Sequence, residues 1–390
     1  MKNMKNIYCL DKIAKVGTDI FGKEYELVNN MDNANGILVR SSSLHEAVFD
    51  KETVAIARAG AGVNNIPLER CAAEGIVVFN TPGANANGVK ELAICGMLLA
   101  ARDIVGGVNW VKTIKESPSI DKDVEKGKKS FAGTEIRGKK LGVIGLGAIG
   151  AMVANAGESL GMEVYGYDPY ISVNSAWNLS RKIIHITDIN QIFSECDYIS
   201  LHLPLTNDNK GLINKNSFAL MKDGVIILNF SRDLLVDDID MEEALNTGKV
   251  KVYVTDFPNT KTANMDKVIT IPHLGASTSE SEDNCAIMAV EQLKDYIENG
   301  NIKNSVNYPN CDMGVCSTIC RVTLLHKNIP NMIGQISSIL AKYNINIADM
   351  TNKSRDKFAY TMLDLETMAD TKLLSELGSI EGVLKVRLIK

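Results

Sequence analysis

No stretch of this chain approaches 18 uninterrupted apolar residues, and the opening MKNMKNIYCL holds no apolar core of the kind a secretion signal needs. The expectation is a cytoplasmic protein with no membrane partner. A basic excess is missing as well. Lys and Arg number 42 against 47 Asp and Glu, for a net charge of −5, so no cationic stripe is at hand to neutralise phosphates and no nucleic-acid partner is expected. Paired CxxC units are absent. The eight cysteines sit mostly in apolar runs such as ELAICGMLLA and read as reduced core residues. Cys311, Cys316 and Cys320 cluster in CDMGVCSTIC, yet the histidines or second cysteine pair of a thiolate site are lacking, so no metal is expected. Internal repeats and low-complexity tracts are missing too. Histidine is scarce, at five in 390 residues, which narrows the choice of a proton-transferring side chain.

What is present is a rhythm. Short apolar runs (GILVR, TVAIARAG, GIVVFN) alternate with helical stretches over the first hundred residues, as in a parallel sheet. GVKELAICGMLLAARDIVGG predicts one long helix. A second βα series follows in KKLGVIGLG, MEVYGYD, DYISLHLP, VIILNF, KVYVTDF and VITIPH, each a near-continuous apolar run suited to strands buried on both faces. Another helix is predicted from about Glu280 to the NG after Glu298. Residues 306–316 are polar and turn-rich and read as a linker. The last segment runs βαββαβ, with Pro330 opening its first helix, which predicts a small split-βαβ module. The fold class is therefore α/β, with two doubly wound parallel-sheet domains and a C-terminal βαββαβ module. The boundaries are residues 1–96 with 275–305, 97–274, and 317–390.

KKLGVIGLGAIG places Gly145, Gly147 and Gly150 in G-x-G-x-x-G spacing, directly after an apolar strand and at the opening of a helix. Gly145 permits a tight turn, Gly147 lets the backbone approach a pyrophosphate, and Gly150 lets helix and strand pack closely. The next strand ends in Asp168, 18 residues past Gly150. A carboxylate there accepts hydrogen bonds from a ribose diol and repels a 2′-phosphate, so NAD is the expected cofactor.

The motifs GILVRSSS, AIARAGAGVNNI, VVFNTPGANANGVKELA, GLGAIG, ISLHLPLT, ILNFSR, YVTDF and IPHLGAST occur in this order, and residues 1–305 resemble the D-isomer-specific 2-hydroxyacid dehydrogenases. The resemblance implies NAD-dependent oxidation at C2 of a 2-hydroxyacid. It makes Arg232 the grip on the substrate carboxylate and His273 the acid/base, chemistry suited to a bidentate guanidinium and to an imidazole titrating near neutrality. It also implies cofactor contacts at Ala148, Ile149, His202, Leu203, Phe230, Ser231, Asp256, Gly275 and Ala276. Gly60, Ala61 and Gly62 match the loop whose amides receive the substrate carboxylate. Arg40 and Arg58 match positions used near the phosphate by members acting on 3-phosphoglycerate, the substrate expected here. The runner-up substrates are glyoxylate or hydroxypyruvate, and a cofactor-binding protein without catalysis is the competing reading.

Two positions depart from the family. A glutamate that holds the histidine is expected a few residues beyond Asp256; Lys261 stands there, or Thr260 if the loop is one shorter, and no glutamate lies between Asp256 and His273. Asp233 follows Arg232 where glycine is usual. Loss of the glutamate weakens the base without forbidding oxidation, and Asp233 or Glu280 are the replacements within sequence reach. Residues 317–390 resemble the ACT domain, an amino-acid-binding module. His326 and Asn328 in H-x-N, with Asn346 in NINIA, match the places where such domains hold serine between two copies. This implies an L-serine effector and a homo-oligomer that is at least a dimer. The glycine usual after Pro330 is Asn331 here.

Overall fold

The computed structural model describes residues 4–390. The chain forms two compact units, Met1–Asn85 with Glu282–Lys390 and Ala86–Ser281. Two parallel-sheet α/β domains and a C-terminal antiparallel module make up the fold.

In the first unit, β1 (Lys5–Cys9), β2 (Tyr25–Val28), β3 (Gly36–Val39), β4 (Ala55–Arg58) and β5 (Val77–Phe79) form a parallel sheet in the order β2-β1-β3-β4-β5. The runs GILV and AIA are buried throughout, as strands covered on both faces must be. The helix Ser279–Asn299 lays Ala289, Val290, Leu293, Tyr296 and Ile297 into the core beside Ile7, Leu38 and Phe79.

The C-terminal module contains β13 (Cys320–Lys327), β14 (Ile347–Arg355), β15 (Phe358–Leu365) and β16 (Val383–Leu388), ordered β14-β15-β13-β16 and antiparallel throughout. Its helices, Met332–Lys342 and Thr371–Gly378, cover one face over Val322, Leu324, Leu363 and Leu365. The other face is not open. Leu325, Tyr360 and Met362 share the core of the first sheet with Tyr296, Ile302 and Tyr308. The turn-rich residues 306–316 are part of that junction: Tyr308 and Cys311 are buried, Tyr308 donates to the Ala72 carbonyl at 2.6 Å, and Cys311 bridges Ile302. Asn331 heads its helix at φ 64, the left-handed conformation that glycine favours and asparagine tolerates best among the other residues.

The second unit holds β6 (Lys140–Ile144), β7 (Glu163–Tyr167), β8 (Ile184–His185), β9 (Tyr198–Leu201), β10 (Val225–Asn229), β11 (Val250–Thr255) and β12 (Val268–Thr270). The sheet is parallel in the order β12-β11-β10-β9-β6-β7-β8, so the chain reverses its direction of winding at β6 and β9. The single helix expected over GVKELAICGMLLAARDIVGG is two, Ala86–Ala101 and Ile104–Thr113. Asp103 leaves helical geometry and its carboxylate accepts the Gly106 N–H at 2.9 Å. That capping bond ends one helix and starts the next.

Candidate functional site

Parallel strands deliver their following residues to one edge. Thr270, Thr255, Asn229, Leu201, Ile144 and Tyr167 stand in one paired row across β12, β11, β10, β9, β6 and β7. Just past this row come His273, Asp256, the segment Phe230–Arg232, His202, Gly145 and Asp168. The carboxyl edge of such a sheet, at its change of winding, is where ligands bind.

The glycine turn is fitted to a phosphate. Gly145 has φ 91, and a Cβ on it would lie 2.4 Å from the His202 carbonyl oxygen. A Cβ on Gly150 would lie 1.8 Å from the Gly145 oxygen, whereas one on Gly147 would meet nothing within 4 Å. The backbone at Gly147 is thus open to a ligand. The helix it heads, Ala148–Ser159, has no side-chain cap and no acid in its first turn, so the amides at Ala148 and Ile149 keep their attraction for an anion. Asp168 accepts the Leu146 N–H and the Tyr170 N–H, each at 2.9 Å, which fixes the carboxylate beside the turn. These residues fit a dinucleotide with a free ribose diol.

His202 contacts Ser200 Oγ through Nε2 at 2.8 Å, while its Nδ1 is buried without a partner. Burial pushes its pKa down to about 4, so the ring is neutral at pH 7. Leu203 follows it beside the turn: a Cβ on Gly145 would be 2.9 Å from the Leu203 side chain. Phe230 is buried against Gly96, and Ser231 Oγ donates to the Leu201 carbonyl at 2.6 Å. Asn229, which sequence reasoning passed over, is fully buried and donates to the Arg232 carbonyl at 2.9 Å, bending the chain so that the exposed Arg232 stands at the edge.

Asp256 is buried, with Oδ1 unpartnered, and Oδ2 lies 3.5 Å from where a Cβ on Gly275 would sit. Desolvation raises its pKa to about 6, against the opposing pull of His273 and Arg232. Gly275 itself presses its carbonyl onto Gly88, where a Cβ would come within 2.7 Å, and Ala276 follows in the same turn. The exposed His273 packs its ring on Phe257 with centroids 4.6 Å apart. Thr260 and Lys261 are exposed on the preceding loop. Asp233 does not reach the histidine: Asn259 Nδ2 donates to Asp233 Oδ1 at 3.1 Å and to Asp238 Oδ2 at 2.9 Å. Glu280 is exposed and meets Ser279 Oγ at 3.4 Å.

The first unit carries the other predicted residues. Arg58 donates through Nε to the Arg40 carbonyl at 2.9 Å and through Nη1 to the Gly62 carbonyl, so its guanidinium braces the loop Gly60–Gly62 from within. Asn80 donates to the Ala61 carbonyl at 2.6 Å on the same loop. Arg40 pairs with Glu282 at 2.6 Å, both half-exposed. Its turn is held by Asp11, which accepts the N–H groups of Arg40, Ser41 and Ser42 and the Ser42 hydroxyl. The loop's own outward amides at Ala61 and Gly62 donate to no backbone carbonyl among the described residues.

In the C-terminal module His326 is buried, with Nδ1 2.8 Å from the Lys327 carbonyl and Nε2 2.9 Å from Thr361 Oγ1. The exposed Asn328 donates to the Asp356 carbonyl at 3.1 Å, and Asn346 to Glu366 at 2.9 Å. Lys327 pairs with Phe358, whereas Ile347 pairs with Leu365, so one module holds Asn328 and Asn346 at opposite ends of the sheet.

Residues 95–275 match the model of the D-isomer specific 2-hydroxyacid dehydrogenase, NAD binding domain. The chain is 31% identical over 342 residues to a D-3-phosphoglycerate dehydrogenase of Haemophilus influenzae, covering 84% of this chain and 79% of that protein. To that of Archaeoglobus fulgidus it is 35% identical over 300 residues, 74% of this chain and 54% of the relative. It thus spans about half the length of the longer relative. An NAD+-bound 3-phosphoglycerate dehydrogenase from Entamoeba histolytica superposes with a TM-score of 0.60 at 28% identity, over 78% of this chain and 99% of that one. A D-2-hydroxyisocaproate dehydrogenase, 20% identical, shares the fold with a TM-score of 0.62 over 78% of this chain and all of its own.

Proposed function

Because the chain belongs to the D-isomer specific 2-hydroxyacid dehydrogenase family, we propose that it oxidises D-3-phosphoglycerate to 3-phosphohydroxypyruvate with NAD. The observation that carries this reading is the single row of strand ends that supplies the glycine turn, Asp168, Arg232, Asp256 and His273 together.

Bound NAD supplies the hydride acceptor. Asp168 and the uncapped helix at Ala148 would hold the adenosine ribose and the pyrophosphate, and Asp256 with the loop at Gly275 and Ala276 would serve the nicotinamide end. Phe230, Ser231, His202 and Leu203 would contact the same cofactor. Arg232 grips the substrate carboxylate and polarises the C2 oxygen. His273 takes the proton from the C2 hydroxyl. NADH formation from 3-phosphoglycerate, absent in His273→Ala, tests the assignment; equal turnover in that variant sinks it.

Reduction of glyoxylate or hydroxypyruvate is the second reading, favoured by one observation. Arg58 is spent on bracing its own loop and Arg40 on Glu282, so a phosphate must displace an ion pair to find its clamp.

L-Serine is the effector we infer for the C-terminal module, held by Asn328 and Asn346, with His326 shaping the strand beneath. Those asparagines lie at opposite ends of one sheet, so a shared ligand calls for a second copy, and the reading includes a homodimer in the cytoplasm. Calorimetry that shows heat on adding serine, lost in Asn346→Ala, supports it; no heat with wild type removes it.

A further inference from the structure

A base that accepts a proton needs its ring held and its positive form stabilised, and a hydrogen-bonded carboxylate is the direct way to do both. Asp256 is near enough to feel the charge of His273, but no carboxylate holds the ring by a hydrogen bond among the described residues. Asp233 is engaged by Asn259, and Asp256 is buried and turned toward Gly275. Thr260 and Lys261 point their loop into solvent. What does touch the imidazole is an aromatic ring: Phe257, at 4.6 Å between centroids and tilted by 50°.

The two rings are hung from the same residue. Thr255 ends β11 opposite Thr270 of β12; its Oγ1 accepts the Phe257 N–H at 3.1 Å, and its carbonyl accepts the Ile271 N–H at 2.9 Å. The chain on either side of the pair is therefore fixed by one rigid strand end, not by loop conformation. Resting on the proposed function, we propose that Phe257 is the positioning residue for His273, its ring packed on the imidazole that no carboxylate holds.

The chemistry differs from that of a carboxylate in a definite way. An aromatic face attracts a cation through its quadrupole, by roughly 0.5–1 kcal/mol at exposed sites, or about a two- to fivefold effect. It accepts no strong hydrogen bond, so neither imidazole nitrogen is committed and the tautomer stays free. The proton leaving the C2 hydroxyl ends on His273, and the charge that appears there meets the Phe257 ring. The other charges bearing on this place are Asp256, which feels both His273 and Arg232, and Asp233 beyond Asn259.

The test uses the full-length protein with isotope-labelled histidine. Five histidines make the imidazole spectrum assignable, with His273→Gln marking its own signal. In the wild type the His273 ring signals are displaced by the Phe257 ring current. Phe257→Leu should remove that displacement, lower kcat roughly two- to fivefold and move the acid limb of the kcat profile to lower pH. The KM for NAD should be unchanged, and Phe257→Tyr should restore all three. Should Phe257→Leu fold poorly, the wild-type displacement and Phe257→Met give the same reading. Unaltered kcat and ring signals in Phe257→Leu, beside an inactive His273→Ala, overturn this inference and leave the function standing. Full turnover in His273→Ala overturns the function itself.

Discussion

Arg321 and Asp364 form a closed ion pair inside the molecule: Nε meets Oδ1 at 2.6 Å and Nη2 meets Oδ2 at 2.8 Å, with Arg321 fully buried. The remaining guanidinium protons go to the carbonyls of Asn299, Gly314 and Met313. Every donor is satisfied, which is the condition for holding a charge in a core. Asp364→Ala leaves the cation unpaired and should cost about 3–5 kcal/mol. Replacing both partners by Met and Leu should cost much less. Urea unfolding of the single and double variants checks this, and equal losses would disprove the pairing argument.

Asp256 is held at a cost. Its folded pKa, raised by burial to about 6, exceeds the ordinary carboxylate value, so the folded state favours the protonated form. The penalty is absent below the unfolded pKa, grows as pH rises through that interval, and is complete above about 6. Asp256→Asn should therefore raise stability at pH 7.5 by about 1–2 kcal/mol after solvent screening, bring no gain at acid pH, and impair turnover. Thermal melts at both pH values with an activity assay decide it.

His202 shifts in the opposite sense for the same physical reason. Burial lowers it to about 4, so from pH 6.5 down to 4 the unfolded chain binds a proton that the folded one refuses. Stability should fall across that window by about 2–3 kcal/mol. His202→Gln, which can still reach Ser200, should flatten the decline.

Thr260→Glu restores a carboxylate near the place where the family has one. A gain in kcat of roughly 3- to 10-fold is expected, as part of what a positioned acid/base supplies. A variant no faster than wild type would mean that the loop ordered by Asn259 aims position 260 elsewhere.

Arg40→Ala should lose activity on 3-phosphoglycerate at least tenfold, roughly the worth of one charge-assisted contact, while turnover of glyoxylate or hydroxypyruvate is kept. Equal loss on both substrates would assign Arg40 to the architecture of its turn with Asp11.

The motif residues were legible because their reasons are local. The turn at Gly145 needs a positive φ and Gly150 needs the absence of a side chain, and both needs are written in a few adjacent letters. Asn331 is the same case in another alphabet. What could not be read is long-range polar scaffolding: Asp11 under the Arg40 turn, Asn229 behind Arg232, and Asn259 between two aspartates. Each is an ordinary loop or strand-end residue until its distant partner is known. The helix break at Asp103 was hidden because its neighbours keep a helical pattern on either side. The burial of Arg321 in the strand CRVTLLH is illegible for the same reason as the polar scaffolding. Only its distant partner Asp364 allows that face to be dry.

That dry face has a consequence for how the C-terminal module behaves. Appended sensor domains are often pictured as beads that can be cut off or exchanged. Here Tyr360 donates to the Gly300 carbonyl at 2.6 Å, Lys385 to the Thr53 carbonyl at 2.6 Å, and Leu325 and Met362 fill the core of the first sheet. A chain stopped near residue 316 would bare Tyr296, Ile302 and Tyr308 together, an adhesive patch on what remained. The last fifth of this sequence is less a passenger than a wall of the first domain, and a single unfolding transition for the two is the expected outcome.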